Sequence, residues 1–178
     1  YVRKGSNGMA SKKPNRKRST DKAGVRLSAN KPRVSAEDLP RRTLEEAIRV
    51  ADAIHSSFAG QSTSWNDLAA ALEVGLQTNA TKYLFWSAAA YGVINKEESN
   101  SFSLAETGRK ILAPVYDGED REGKIKALLT PNVLSKFYTD YNSHPLPSDD
   151  IFRNVLERKY GIPRERVAEA QSLILTNA

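Results

Sequence analysis

The sequence predicts a mainly α-helical fold with one short β-hairpin. Apolar residues repeat at helical spacing over most of the chain beyond residue 36, and small polar residues suited to helix capping precede several of these stripes. Near residue 100 the pattern changes to two short extended pieces around a polar turn, which is typical of a hairpin. We therefore expect helices on both sides of a small antiparallel β unit.

The first helix is predicted over about residues 43–59. Thr43 and Glu46 have the spacing of a capping box, in which the hydroxyl accepts from one free amide and the carboxylate accepts from another. An apolar stripe follows at helical spacing, and Gly60 is a natural stop.

Two further helices are predicted before the hairpin. Ser64 opens a short helix from Trp65 to Leu72, and a longer one runs from about Asn79 to Tyr91. Gly92 ends the longer helix, since glycine adopts the left-handed conformation at little cost.

The hairpin is predicted from two extended pieces, residues 93–96 and 101–104, around the polar turn at 97–100. Ser103 and Glu106 again have capping-box spacing, so we expect them to start the next helix. Four more helices are then predicted to begin at Asp117, Thr130, Ser148 and Pro163.

Charge divides the chain into two parts. Residues 1–35 contain eleven Lys and Arg residues and one acid, whereas residues 36–178 contain sixteen basic and twenty acidic residues. The first part also has few large apolar side chains, so we expect residues 1–36 to be a disordered basic tail. Such a tail is either a solubilising segment or an arm that contacts phosphates. The residues predicted for phosphate contact are Lys12, Lys13, Arg16, Lys17 and Arg18.

Residues 88–112 read AAAYGVINKEESNSFSLAETGRKIL. This string resembles the wing region of the winged helix-turn-helix superfamily, where an aromatic-Gly-Leu-Ile pattern ends the third helix and Leu-Thr-x-x-Gly follows the second wing strand. Val93 and Ala105 depart mildly from that pattern. The resemblance covers about 70 of the 178 residues. It implies a winged helix over residues 37–114.

Residues 115–178 resemble the helical extension of bacterial winged-helix proteins of unknown function. We expect this extension to pack against the winged helix as one unit. Its last apolar residues suggest either a homodimer surface or a junction to a missing C-terminal effector domain. The alternative is that Ile174 and Leu175 fold back on the preceding helices.

The resemblance also implies a function. It implies a regulatory protein that binds DNA with modest sequence specificity. In such proteins the third helix enters the major groove and the wing touches the backbone. The residues expected to contact DNA are Gln77, Asn79, Lys82, Tyr83, Trp86, Lys96, Arg109 and Lys110. The alternative is a protein-interaction or sensor module that forms the N-terminal part of a larger bacterial protein.

Enzymatic, metal and cofactor functions are not expected. The chain has no cysteine, which excludes zinc–thiolate sites and thiol nucleophiles, and its two histidines are far apart in sequence. His55 is expected to be a partly buried structural side chain, and His144 an exposed turn residue. No apolar run approaches the roughly 20 residues of a bilayer span, so we expect a cytoplasmic protein without a membrane partner.

Overall fold

The computed structural model describes residue 1 and residues 34–178. The described residues from 34 onward belong to one compact unit. Most of the predicted tail, residues 2–33, lies outside the described residues. The same holds for the residues predicted to contact phosphates, which are Lys12, Lys13, Arg16, Lys17 and Arg18. The boundaries predicted at 37–114 and 115–178 stay a prediction.

The described part of the chain is mainly helical and contains a small three-stranded antiparallel sheet, as the sequence predicts. In chain order its elements are α1 (Leu44–Phe58), β1 (Thr63–Ser64), α2 (Trp65–Ala71), α3 (Asn79–Ala90), β2 (Ile94–Lys96), β3 (Ser101–Leu104), α4 (Glu106–Leu112), α5 (Glu119–Leu128), α6 (Asn132–Asp140), α7 (Asp149–Arg158) and α8 (Val167–Thr176). Single 3-10 turns occupy Glu98–Asn100 and Arg164–Arg166.

The sheet has the order β1-β3-β2. Its predicted hairpin is confirmed, with Ile94 opposite Leu104 and Lys96 opposite Phe102. Strand β1 was not predicted, because its two residues are too few to form an alternating pattern, and it pairs through Thr63 opposite Phe102. This order of helices and strands is compatible with a winged-helix layout.

Side-chain caps start the first three helices. The hydroxyls of Thr43, Ser64 and Thr78 each accept a bond from the backbone N–H three residues later. Glu46 completes the predicted capping box by accepting from the Thr43 N–H at 3.0 Å. Each cap involves residues no more than three positions apart, so it can be recognised in the sequence. The three corresponding helix starts agree with the prediction.

Three predicted helix starts are wrong in detail. Ser103 does not cap α4, because it pairs with Asn95 inside the sheet, and α4 instead follows Ala105 without a side-chain cap. Asp117 does not cap α5, which follows Gly118 at φ 94°. Pro163 is followed by a 3-10 turn before α8 begins. Sheet pairing and backbone conformation decide these starts.

The buried face of α5 does not contain the apolar residues Ile125 and Leu129, both of which are exposed. The buried positions are Glu119, Gly123 and Ala127. A Cβ on Gly123 would lie 2.8 Å from the Ile111 side chain, so the absence of a side chain allows α4 and α5 to pack closely.

Hydrogen bonds tie the last helix to the first. Asn177 accepts from the Leu44 N–H at 2.9 Å and donates to the buried Tyr91 hydroxyl at 2.9 Å, which in turn donates to the Arg42 carbonyl at 3.0 Å. Burial raises the pKa of Tyr91 above its usual value, so this hydroxyl stays protonated. The network holds the end of α3 between α1 and α8.

The apolar end of α8 is divided between core and solvent. Ile174 is buried, and its carbonyl accepts from the Tyr138 hydroxyl at 2.8 Å. Leu175 remains 47% exposed. The expected fold-back therefore applies to Ile174 and not to Leu175. Among the described residues, each helix is too short or too polar to cross a bilayer.

Candidate nucleic-acid interface

Helix α3 presents one buried and one exposed face. Phe85 lies at the centre of the buried face, 4.6 Å from the Trp65 ring and 5.4 Å from the Phe102 ring. These aromatic contacts join α3 to α2 and to β3. The opposite face exposes Asn79, Lys82 and Trp86.

Beside this face lies a cavity of about 480 Å³, between the start of α2, the middle of α3 and the β2–β3 turn. We call it the wing-side cavity. Its lining residues are Ser64, Trp65, Asn66, Leu76, Gln77, Lys82, Trp86, Lys96, Ser99 and Asn100. Four of the predicted DNA contacts thus meet in one place, and the lining contains two lysines and no carboxylate.

Local contacts shape the walls of the wing-side cavity. The Trp65 indole N–H donates to the Leu76 carbonyl at 2.6 Å, which anchors the turn between α2 and α3. At the opposite wall Ser99 and Asn100 both have φ of 61°, a left-handed conformation that Asn tolerates better than most side chains. The cavity is therefore bounded by two constrained turns.

Glu97 is adjacent to the cavity but is held by other groups. Its carboxylate accepts from the Ser62 hydroxyl at 2.6 Å, and hydrogen bonds from Ser103 and Ser62 lower the pKa of this carboxyl. The charge of Glu97 is thus directed toward β1 and β3. The two cavity lysines are different, since neither Lys82 nor Lys96 forms an ion pair within the described part of the chain.

Tyr83 and Asn79 lie outside the wing-side cavity. The Arg41 guanidinium stacks over the Tyr83 ring at 4.5 Å from its centroid, and Arg41 also pairs with Glu169 of α8 at 3.6 Å. Tyr83 therefore has a packing partner on the side facing α8. Asn79 is exposed as the first residue of α3 and lines neither this cavity nor the groove described next.

A second opening, the turn-side groove, lies on the other side of Trp86 and has a volume of about 820 Å³. Its lining residues are Ser35, Ala36, Glu37, Asp38, Trp86, Ala89, Ala90, Gly92, Ile94, Asn95, Lys96, Thr130 and Asn132. Asp38 accepts from the Ser35 hydroxyl at 2.7 Å, and this bond lowers the pKa of its carboxyl. The groove is thus apolar along α3 and acidic at residues 37 and 38.

Arg109 and Lys110 are separated from this surface. Both belong to α4, which packs on α1 and α5, and neither lines the wing-side cavity or the turn-side groove. Lys110 is paired with Glu106 at 3.3 Å. Arg109 and Lys110 therefore belong to a surface of α4 that is separate from both openings.

Sequence reasoning missed several lining residues. Trp65 is predicted only as the first residue of the short second helix, yet it also borders the cavity. Ser99 and Asn100 were assigned to a polar turn, and Asn66 carried no signal beyond being polar. Arg41 follows Pro40 before the first cap, and nothing local predicts its contact with Tyr83, 42 positions along the chain.

The two histidines lie away from both openings. His55 is exposed, so its predicted partial burial is wrong, because the buried positions of α1 are Ala47, Val50, Ala51 and Ile54. His144 is exposed, as predicted. Among residues 34–178 no group of three or more acidic or His side chains is placed to hold a metal ion.

The order of helices and strands is thus compatible with the resemblance of residues 88–112 to a winged helix. A cavity lined by two lysines lies next to α3. No protein-family model, no curated protein and no solved structure matches this chain.

Proposed function

We propose that residues 37–114 act as a winged helix-turn-helix that binds DNA through α3 and the wing-side cavity. The supporting observation is the composition of that cavity: two unpaired lysines, three side-chain amides, two hydroxyls and no carboxylate. Lysines neutralise phosphates and release their counterions, which supplies most of the sequence-independent affinity for DNA. Amides and hydroxyls add hydrogen bonds to phosphates or base edges.

Charge elsewhere supports a localised contact. Residues 36–178 contain twenty acidic and sixteen basic side chains, so this part of the chain has no general attraction for a polyanion. Lys82 and Lys96 differ from the average because they line one cavity whose lining has no carboxylate. Because two cations line this cavity, we expect weak binding to which they contribute a slope of log K against log salt of only about −1.8.

Sequence preference is expected to be modest. Asn79 and Gln77 lie at the start of α3, the part of a recognition helix that reaches base edges first. Asn and Gln side chains bond adenine bidentately in the major groove. A single amide contact of this kind discriminates against the wrong base by about 1–3 kcal/mol.

The test is a titration of labelled duplex DNA by fluorescence anisotropy at several salt concentrations. In the double variant Lys82→Ala/Lys96→Ala, affinity should fall about tenfold or more at low salt. The slope of log K against log salt should become shallower by up to about 1.8, that is about 0.9 per phosphate contact.

The matched control is Lys124→Ala/Lys126→Ala on α5, which removes the same charge outside the cavity. Both double variants keep residues 1–35, so any contribution of the basic segment cancels in the comparison. Equal losses in the two variants would contradict the proposal, since binding would then depend on total charge alone.

A protein-interaction role is the second candidate, and the turn-side groove favours it. Glu37 and Asp38 repel phosphate, whereas Trp86 and Ala89 offer apolar contact. A basic peptide with one apolar anchor would complement this lining. An array of basic and acidic peptides tests it: a preference for basic peptides that is lost in Glu37→Gln/Asp38→Asn supports docking, and indifference to charge contradicts it.

We also propose a homodimer in which the exposed Leu175 at the end of α8 contacts the second copy. Light scattering over a range of concentrations should then show a dimer that becomes a folded monomer in Leu175→Asp. A monomer at all concentrations would contradict it.

A further inference from the structure

Trp86 occupies an unusual place on α3. It is one of the large apolar side chains of the described residues that remain exposed, at 38%. Single exposed apolar residues are common and need no explanation by themselves. Trp86 differs because it lines both the wing-side cavity and the turn-side groove. The indole therefore borders open space on two sides.

The neighbouring aromatic ring does not stack on this indole. Tyr83 is the only ring of the described residues in contact with Trp86, and the two planes meet at 68° with centroids 6.4 Å apart. Tyr83 itself is stacked under Arg41. A flat ligand can thus approach the indole without displacing a stacked partner.

Cationic groups are placed beside the indole. Lys82 is one helical turn before Trp86 and shares the wing-side cavity with it, and Lys96 lines both openings. A cationic surface next to an exposed aromatic ring is the combination that proteins use for single-stranded nucleic acid. Lysines bind the phosphates there, and the ring stacks on a base.

A regular duplex does not suit this arrangement. Its bases stack on one another and present only their edges, which are read by hydrogen bonds in the grooves. Indole has one N–H donor and no acceptor, so it reads base edges poorly, while it stacks well on any base that leaves the helix. Asn95, which lines the turn-side groove, is a hydrogen-bonding side chain beside such a base.

We propose that Trp86 is a stacking platform for an unpaired base, so that the preferred ligand is single-stranded DNA or DNA with an unstacked position. This proposal rests on the DNA-binding function proposed above. It adds the form of DNA that is bound and assigns the stacking contact to one side chain.

The chain contains a built-in reporter for this contact. It has only two tryptophans, and Trp65 donates its N–H to Leu76 and packs against Phe85. The variant Trp86→Phe leaves Trp65 as the single indole, so the emission change lost between the parent chain and this variant belongs to Trp86. Titration of the parent chain with an oligothymidine of 15 nucleotides should quench its emission, and Trp86→Phe should lose most of this quenching. The same length of duplex should leave the emission of the parent chain nearly unchanged.

Affinities measured on the full chain complete the test. Anisotropy is measured with the oligothymidine, with a duplex, and with the same duplex carrying a central bulge. Trp86→Ala should weaken single-strand and bulge binding by about five- to 150-fold, which corresponds to the usual 1–3 kcal/mol per stacked base. Its effect on the duplex should be less than twofold. Trp86→Phe should retain part of the single-strand affinity.

The possible outcomes separate the two proposals. Equal affinity for all three DNA forms, with equal losses in Trp86→Ala, would overturn the stacking proposal and leave DNA binding in place. Absence of binding to every DNA form at low salt would refute DNA binding as well. If Trp86→Ala fails to fold by circular dichroism, the difference in quenching between the parent chain and Trp86→Phe, together with the affinities of Trp86→Phe, decides the question.

Discussion

The helices before and after residue 92 begin in different ways. α1, α2 and α3 each start at a Thr or Ser whose hydroxyl accepts from the backbone of the first turn. In α4 to α8, as the structure describes them, the capping residue makes no side-chain hydrogen bond. The first group is thus specified by local sequence, and the second group depends on packing between distant residues.

Aromatic packing replaces caps in the second group. The Phe137 ring stacks on Tyr141 at 4.7 Å and on Phe152 at 5.3 Å, and it also contacts Tyr160 at 5.7 Å. These contacts join α6 to α7 and to the residues after α7. We infer that this cluster determines where the last helices pack.

The largest expected effect comes from breaking the aromatic cluster. Phe137→Ala should lower the free energy of unfolding by about 3–5 kcal/mol, because it removes a fully buried ring and leaves a cavity. Urea unfolding followed by circular dichroism measures the loss. The control Ile151→Ala removes an exposed side chain of α7 and should change stability by less than about 0.5 kcal/mol. Comparable losses in both variants would show that the cluster has no special role.

The neighbours of two glycines, Gly108 in α4 and Gly123 in α5, differ in how easily they can move to make room for a side chain. A Cβ at Gly108 would lie 2.3 Å from the Val93 carbonyl oxygen, which the backbone cannot move away cheaply. Gly108→Ala should therefore destabilise by about 2 kcal/mol or more. At Gly123 the close neighbour is the Ile111 side chain at 2.8 Å, which can shift more easily than a carbonyl group, and alanine gains roughly 1 kcal/mol of helix propensity, so Gly123→Ala should destabilise less than Gly108→Ala, by about 1 kcal/mol. Thermal unfolding of both variants checks this, and an equal loss would contradict it.

Cap removal tests the opening comparison directly. Thr43→Ala should destabilise by about 1 kcal/mol, because it leaves the Glu46 N–H without its acceptor. Ser148→Ala, at the start of α7, should cost less than about 0.5 kcal/mol, since that hydroxyl makes no capping bond. If the two losses are equal in urea unfolding, the distinction between the two groups of helices fails.

The smallest effect is expected at alkaline pH. Burial raises the pKa of Tyr138 from 10.0 to about 12. The folded state therefore holds this proton more tightly than the unfolded state, and the resulting stability is complete below pH 10 and declines as pH rises toward 12. Tyr138→Phe removes the hydrogen bond to the Ile174 carbonyl. It also removes the part of the decline in stability at high pH that is due to Tyr138.

The stability difference between the parent chain and Tyr138→Phe should consequently shrink between pH 10 and 12. Urea unfolding at several pH values measures it. A constant difference would show that Tyr138 has the same pKa in both states. Some decline remains in the variant, because burial also raises the pKa of Tyr91 and Tyr160.

Four of the eight candidate DNA contacts lie on neighbouring parts of the chain and line one cavity; they are Gln77, Lys82, Trp86 and Lys96. That any of the eight contacts DNA stays a prediction. Arg109 and Lys110 lie on α4, away from this cavity. Tyr83 is half-buried, and its contact with Arg41 depends on the path of the chain before α1.

By itself the sequence determined the mainly helical class, the first three helix starts and the hairpin, because caps and turns act between residues three or four positions apart. It did not determine the buried face of α5, since Glu119, Gly123 and Ala127 are buried only because α4 approaches them closely. Strand β1 likewise exists only through its pairing with β3. Tertiary structure alone placed Trp86 between two openings, because each opening is bounded by residues from separate segments of the chain.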